Sequence, residues 1–271
     1  MKEILGHEIL KNEALQGGSV ADVRLLTLAD GTKVVAKRGD LAIEARMLCY
    51  LKENSSLPVP AVLHVDSHVL VMEYIENDGM AGREGQLDAA RALGALHQIS
   101  APAFGFQEDT LIGPYALENQ KQVSFARLYG EQRLLSMGRA CYDDGKLAGE
   151  EFRRLEEVAE HCEEMIDSSL VPGLIHGDAW SGNVLYNRGR LAAFIDPAIY
   201  YADPEVDLAM ITLFHTFDEP FFLEYQNLRR IDPLFWEVRR WLYELFPLLV
   251  HLRLFGTSYL EGVKERLRRL P

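Results

Sequence analysis

A chain of 271 residues, 48% hydrophobic and 25% charged, is long enough for two packed lobes and apolar enough to fold. The formal charge of −13, with Lys and Arg gathered into no basic run, argues against a nucleic-acid partner, because neutralising phosphates needs clustered cations. Cys49, Cys141 and Cys162 form no CxxC pair, which argues against a zinc site or a disulfide framework and predicts reduced thiols in a cytoplasmic protein.

The opening MKEILGHEILKNEA is amphipathic and acidic and lacks the apolar core of a signal peptide. Short β-rich runs at 20–28 and 33–37 flank Ala29-Asp30-Gly31-Thr32, a hairpin turn centred on Asp-Gly. Asp40 is placed to cap a helix running to Leu51, with Leu41, Ala45, Leu48 and Leu51 on one face. Beyond Asn54-Ser55-Ser56 and Pro58-Val59-Pro60, two more strands are expected at 61–65 and 69–75, around a turn at Asp66-Ser67. The character then changes. Asn77-Asp78-Gly79 is a loop, 86–99 has helical periodicity with small residues suited to close packing, and helical patterns recur at 121–142 and 147–168. Residues 173–175 read as a strand, followed by a polar loop and a hairpin whose arms, 184–186 and 191–195, meet at Asn187-Arg188-Gly189. From there the pattern is helical to the end. The stretch 241–254 is broken by Glu244, Pro247, His251 and Arg253, too short and too polar to cross a bilayer, so no membrane partner is expected. The expected fold class is α+β and bilobal. Residues 1–76 make a small N-lobe, an antiparallel sheet with one helix, and residues 77–271 a larger, mainly helical C-lobe, with a hinge near 74–79.

The strongest local signal is His176-Gly177-Asp178-Ala179-Trp180-Ser181-Gly182-Asn183, which fits the H-x-D-x-x-x-x-N spacing of a kinase catalytic loop. There, Asp178 can accept a proton from a substrate hydroxyl, and the Asn183 amide oxygen can reach a magnesium ion on nucleotide phosphates. Asp196, at the end of the following hairpin, supplies the second metal contact. Lys37 closes the apolar run Val34-Val35-Ala36, where it can touch the α- and β-phosphates of ATP. Glu44 is its candidate partner, across a connection shorter than protein kinases use. Gly17, Gly18 and Ser19 offer backbone N–H groups to phosphates. Glu73, Tyr74 and Ile75, closing the last N-lobe strand, offer backbone groups to an adenine edge. His97 and His251 lie in helical apolar patterns and read as packed, hydrogen-bonded histidines rather than ligands. Asp207, opening an apolar helical run, reads as a residue that orients the loop. The cofactors implied are ATP and Mg²⁺.

These residues resemble the fructosamine kinase (ketosamine-3-kinase) family, within the wider protein-kinase-like group of aminoglycoside phosphotransferases and choline kinases. The wider group shares H-G-D and the later Asp. The narrower signals are Asp196-Pro197-Ala198-Ile199-Tyr200-Tyr201, Glu205-Val206-Asp207-Leu208-Ala209-Met210 and the late Leu254-Phe255-Gly256 with Tyr259. The resemblance implies ATP-dependent phosphorylation of the sugar 3-hydroxyl of a ketoamine, a small molecule or a protein-bound adduct, giving an unstable product that releases the amine. It places the base on Asp178, the metal ligands on Asn183 and Asp196, the nucleotide lysine on Lys37 and a substrate-facing ring on Trp180. Ser19 stands where some members carry cysteine, and Phe125 where many carry tryptophan. The competing readings are a kinase for another hydroxylated amine, an aminoglycoside or choline-like compound, and a catalytically silent nucleotide-binding module.

Overall fold

Two-residue alternation along Lys33–Arg38 decides which side of the N-terminal sheet carries chemistry. Val34 and Ala36 turn to one face, where they join Ile4, Leu26, Leu28, Val69 and Val71 in a small apolar cluster. Val35 and Lys37 turn to the other, toward the helix that follows. This is seen in a computed structural model that describes residues 3–15, 22–39 and 41–271. Gly17, Gly18, Ser19 and the expected cap Asp40 therefore lie outside the described residues.

The sheet comprises β1 (Glu3–Ile4), β2 (His7–Ala14), β3 (Val23–Leu28), β4 (Lys33–Arg38), β5 (Val62–Val65) and β6 (Val69–Glu73), in the order β1-β2-β3-β4-β6-β5 and antiparallel throughout. Helix α1 (Ala42–Asn54) crosses from β4 to β5 and buries Ala45, Met47, Leu48 and Leu51 against the sheet's second face. It runs past the expected end at Leu51 and closes where the Ser55 hydroxyl donates to the Leu51 carbonyl at 2.7 Å. Sequence patterning singles out neither β1 nor β2, because β2 is exposed along almost its whole length and shows no alternation.

The rest of the chain is mainly helical: α2 (Arg83–Leu96), α3 (Phe125–Leu128), α4 (Ser136–Asp143), α5 (Gly149–Glu160), α6 (Cys162–Met165), α7 (Glu205–Leu213), α8 (Glu219–Leu228), α9 (Arg240–Phe255) and α10 (Leu260–Arg269). Among them lie three short antiparallel pairs: β7 (Thr110–Ile112) with β8 (Tyr115–Leu117), β10 (Val184–Asn187) with β11 (Arg190–Phe194), and β9 (Gly173–Ile175) with β12 (Tyr200–Ala202). The chain after the hairpin is thus not helical throughout, as the sequence suggests. All three residues of β9 are buried, so its backbone groups need partners; β12 pairs with it, Tyr200 opposite Ile175, and the Ile99 carbonyl accepts Leu174 N–H at 2.8 Å. The turn of the β10–β11 hairpin has both central residues at positive φ, Arg188 at 52° and Gly189 at 72°, the geometry that matches strand twist. Asp78, in the loop between β6 and α2, fastens it, its Oδ2 accepting from Arg188 N–H and its own N–H donating to Tyr186 O, each at 2.9 Å.

Two buried polar contacts hold the helical part. Pro247 lies inside α9 and has no N–H for the Tyr243 carbonyl one turn back. The hydroxyl of the fully buried Tyr129 donates to that carbonyl at 2.9 Å. Tyr129 opens a π-helical stretch, Tyr129–Leu135, between α3 and α4; within it the fully buried Arg133 lies 4.1 Å over the Tyr200 ring and donates to Glu118 O and Asn119 Oδ1 at 2.6 Å each. Helix α1, though it belongs to the sheet by sequence, is also fastened to the helical part. Tyr50 and Tyr201 share a hydroxyl hydrogen bond of 2.9 Å, Tyr50 meets Phe106 edge-on at 4.8 Å, and Arg46 donates to Glu108 at 2.9 Å. Among the described residues, no helix is long and apolar enough to cross a membrane.

Candidate active site

The loop after β9 is shaped by one carboxylate. Asp207, fully buried in the first turn of α7, accepts the backbone N–H groups of His176 and Gly177 at 2.8 Å each. It also bonds His97 Nε2 at 3.0 Å, while His97 Nδ1 meets the Tyr225 hydroxyl at 2.7 Å. Burial alone would raise the Asp207 carboxyl; the His97 bond and the charges of His97 and His176 outweigh it and hold it below the usual carboxylate range. The orienting role read for Asp207 and the packed role read for His97 both match this geometry. Gly177 has φ of 80°, and a Cβ there would lie 2.0 Å from the Ala198 carbonyl oxygen, so no other residue fits this approach of the loop to the segment between β11 and β12.

Past the turn, Asp178, Trp180, Asn183 and Asp196 come to one cavity of about 400 Å³ together with Lys37 and Glu44. The Asn183 side-chain amide donates to Asp178 O at 3.0 Å and Asp178 Oδ2 at 2.7 Å, which leaves its own Oδ1 uncommitted. Lys37 Nζ donates to Glu44 Oε1 at 2.7 Å and to Asp196 Oδ1. The short connection between Lys37 and Glu44 therefore still brings them together. Asp196 holds φ at 52°, a left-handed conformation that Asp tolerates better than most residues. Burial disfavours the Lys37 ammonium, but the Asp196 and Glu44 charges prevail and raise its pKa. Burial also raises Glu44, against the pull of Lys37. Desolvation lifts Asp178 to about 7, with the Asn183 bond opposing and the Asp196 and Asp207 charges adding to it.

Not every expected residue reaches this cavity. Glu73, at the end of β6, accepts Ala61 N–H at 3.1 Å, and Tyr74 lies 5.5 Å beneath the Lys33 ammonium; neither these nor Ile75 line it. Phe125 is core, packed on Phe104, Tyr129 and Tyr243. Conversely, the sequence reading missed Phe214, His251, Phe255 and Tyr259, and Leu111, Ile112 and Gly113 at the turn of the β7–β8 hairpin, all of which line the cavity. His251 is packed and hydrogen-bonded to the Pro247 carbonyl at 2.8 Å, as expected, yet it also faces this space. The signal available for the late residues was the segment around Leu254-Phe255-Gly256 and Tyr259, which patterning alone reads as helix end.

A curled antiparallel sheet against a helical part, with a lysine, two carboxylates and an amide converging on one cleft, defines the class: a phosphotransferase of protein-kinase-like fold, a group that uses ATP. The family model described as Fructosamine kinase matches residues 3–270, and the chain belongs to that family. A probable ketoamine kinase of Enterococcus faecium is 34% identical over 73% of this chain and 70% of its own. The chloroplastic protein-ribulosamine 3-kinase of Arabidopsis thaliana is 31% identical over 70% of this chain and 58% of its own. A Thermobifida fusca crystal structure assigned as a fructosamine-3-kinase superposes with a TM-score of 0.89 at 29% identity, covering 99% of this chain and 96% of that one. The fold alone extends to aminoglycoside phosphotransferase APH(4)-Ia in complex with ADP and hygromycin B, at TM-score 0.67 and 16% identity over 97% and 92% of the two chains.

Proposed function

We propose that this protein phosphorylates the sugar 3-hydroxyl of a ketoamine, a fructosamine or ribulosamine on a small molecule or a protein, using ATP, and so acts in deglycation. The observation that carries this is the convergence of Lys37, Asp178, Trp180, Asn183 and Asp196 on one cleft in a chain of the fructosamine kinase family. In this reading residues 1–76 bind the nucleotide and residues 77–271 carry the transfer centre and acceptor site. Lys37, steadied by Glu44, contacts the α- and β-phosphates, the backbone at Gly17, Gly18 and Ser19 covers them, and Glu73, Tyr74 and Ile75 meet the adenine edge. Asp178 accepts the proton of the acceptor hydroxyl, and Trp180 covers the sugar. The free cysteines support a reducing, cytoplasmic setting.

The donors present suit Mg²⁺. Asn183 has its Oδ1 and Asp196 its Oδ2 uncommitted, and among the described residues no cluster of three His, Cys, Asp or Glu is built to cage a metal. Two protein oxygens are what a hard cation needs when water and phosphate oxygens complete its shell. When bound, Mg²⁺ would offset charge on the phosphates.

The test is phosphate transfer to fructosamine and ribulosamine adducts of an amine, compared with the free sugars. Efficient turnover of the adducts with little on free fructose or ribulose is expected, and it should vanish in excess chelator or in Asp196→Ala. Equal efficiency on adduct and free sugar would leave a general sugar kinase as the better reading.

A further inference from the structure

Beyond the transfer centre, the cleft continues into a part that the roles above leave unused. It is walled by Phe214, His251, Phe255 and Tyr259, with the β7–β8 turn also lining it. The rings form an unbroken chain that starts from Trp180. Centroids are 5.8 Å apart from Trp180 to Phe214, 4.8 Å from Phe214 to His251, 5.4 Å from His251 to Phe255 and 5.0 Å from His251 to Tyr259. Every charged side chain lining the cleft, Lys37, Glu44, Asp178 and Asp196, belongs to the transfer centre, so this part carries no formal charge. His251 is its polar exception. Its Nδ1–H donates to the Pro247 carbonyl, which leaves Nε2 as an acceptor that no donor among the described residues meets. Burial lowers the His251 pKa, which favours that neutral form.

Aromatic faces are negative and attract an ammonium group without a counter-ion. A ketoamine carries such a group three carbons from the reacting oxygen, so its nitrogen must lie close to Asp178, in the same cleft that the ring cluster lines from Trp180 onward. We propose that Phe214, Phe255 and Tyr259 form an aromatic box for the protonated amine of the ketoamine, with His251 Nε2 accepting its N–H. This rests on the ketoamine reading and adds how the amine is selected: by ring faces and one neutral nitrogen. A polyamine such as an aminoglycoside would instead call for carboxylates, which this part of the cleft lacks.

The test compares the fructosamine of a simple alkylamine with its ether analogue, in which oxygen replaces the nitrogen. The wild-type enzyme should favour the amine by about tenfold or more in kcat/KM. Tyr259→Leu, Phe255→Leu and His251→Phe should each lower kcat/KM for the amine by about tenfold, chiefly through KM, and for the ether by much less. Phe255 is 46% exposed, so its replacement tests the box without disturbing the core. A preference for the amine that survives all three replacements overturns the box. Turnover of neither compound by wild-type enzyme that binds ATP overturns the ketoamine reading and the box with it.

Discussion

Asp178 lies close to Asp196 and to the buried Asp207, and in the proposed role that crowding would set when it can accept a proton. Desolvation lifts its carboxyl to about 7, helped by the charges of Asp196 and Asp207. A base must be ionised, and a carboxylate forms above its pKa. We therefore expect kcat/KM to rise with pH through about 7, with unit slope on the acid side, and to level off above it. A profile flat from about pH 5.5 to 8.5 would show that titration of this carboxyl does not limit the reaction. Asp178→Asn should keep fold and nucleotide binding and lose at least about a hundredfold in kcat; near-normal turnover would contradict the assignment. Asp178, Asn183 and Asp196 were legible in the sequence because one loop and one hairpin fix their spacing. Phe214 and His251 were not: they meet only because the end of α7 packs against α9, and their apolar surroundings read equally well as core.

Helix α9 keeps a proline only because another element repairs the gap it makes. The Tyr129 hydroxyl occupies the Tyr243 carbonyl that Pro247 leaves open. Tyr129→Phe should cost about 1–3 kcal/mol, the penalty for an unsatisfied buried acceptor, read as a lower denaturant midpoint at unchanged m-value. In a Pro247→Ala background the same change should cost less, since the restored N–H reaches that carbonyl. Equal costs in both backgrounds would show that the bond is not a repair. Periodicity revealed the long helices. It could not reveal the π-helical stretch at Tyr129–Leu135, where Arg133 is buried beneath Tyr200, nor β7, β8, β9 and β12, whose three residues are too few to establish a period.

At the scale of the whole molecule, Asp207 ties α2, α7 and α8 to the loop that carries Asp178, through His97, Tyr225 and two backbone N–H groups. Asp207→Asn would turn an amide N–H₂ toward donors in a fully buried site. Breaking such a network should cost about 3 kcal/mol and lower kcat as the loop loses its shape. Unchanged stability and kcat would show that the loop holds itself. The order of sheet first and helices after was legible from the change of pattern along the chain, and the Asp207 contacts from its place at a helix start. The cross-links between the parts were not, because Tyr50 and Tyr201 lie 151 positions apart and nothing local marks them as partners.

Those cross-links bear on how the lysine's partner is held. In protein kinases the helix bearing the lysine's glutamate is a control lever, and placing it switches the enzyme. Here the same lever is bolted down: α1 holds Glu44 on Lys37 while Tyr50 and Arg46 fix its other side to the helical part. Swinging α1 outward would break a hydroxyl pair, an aromatic contact and an ion pair together. The structure thus holds α1 in the position that pairs Glu44 with Lys37, from both sides at once.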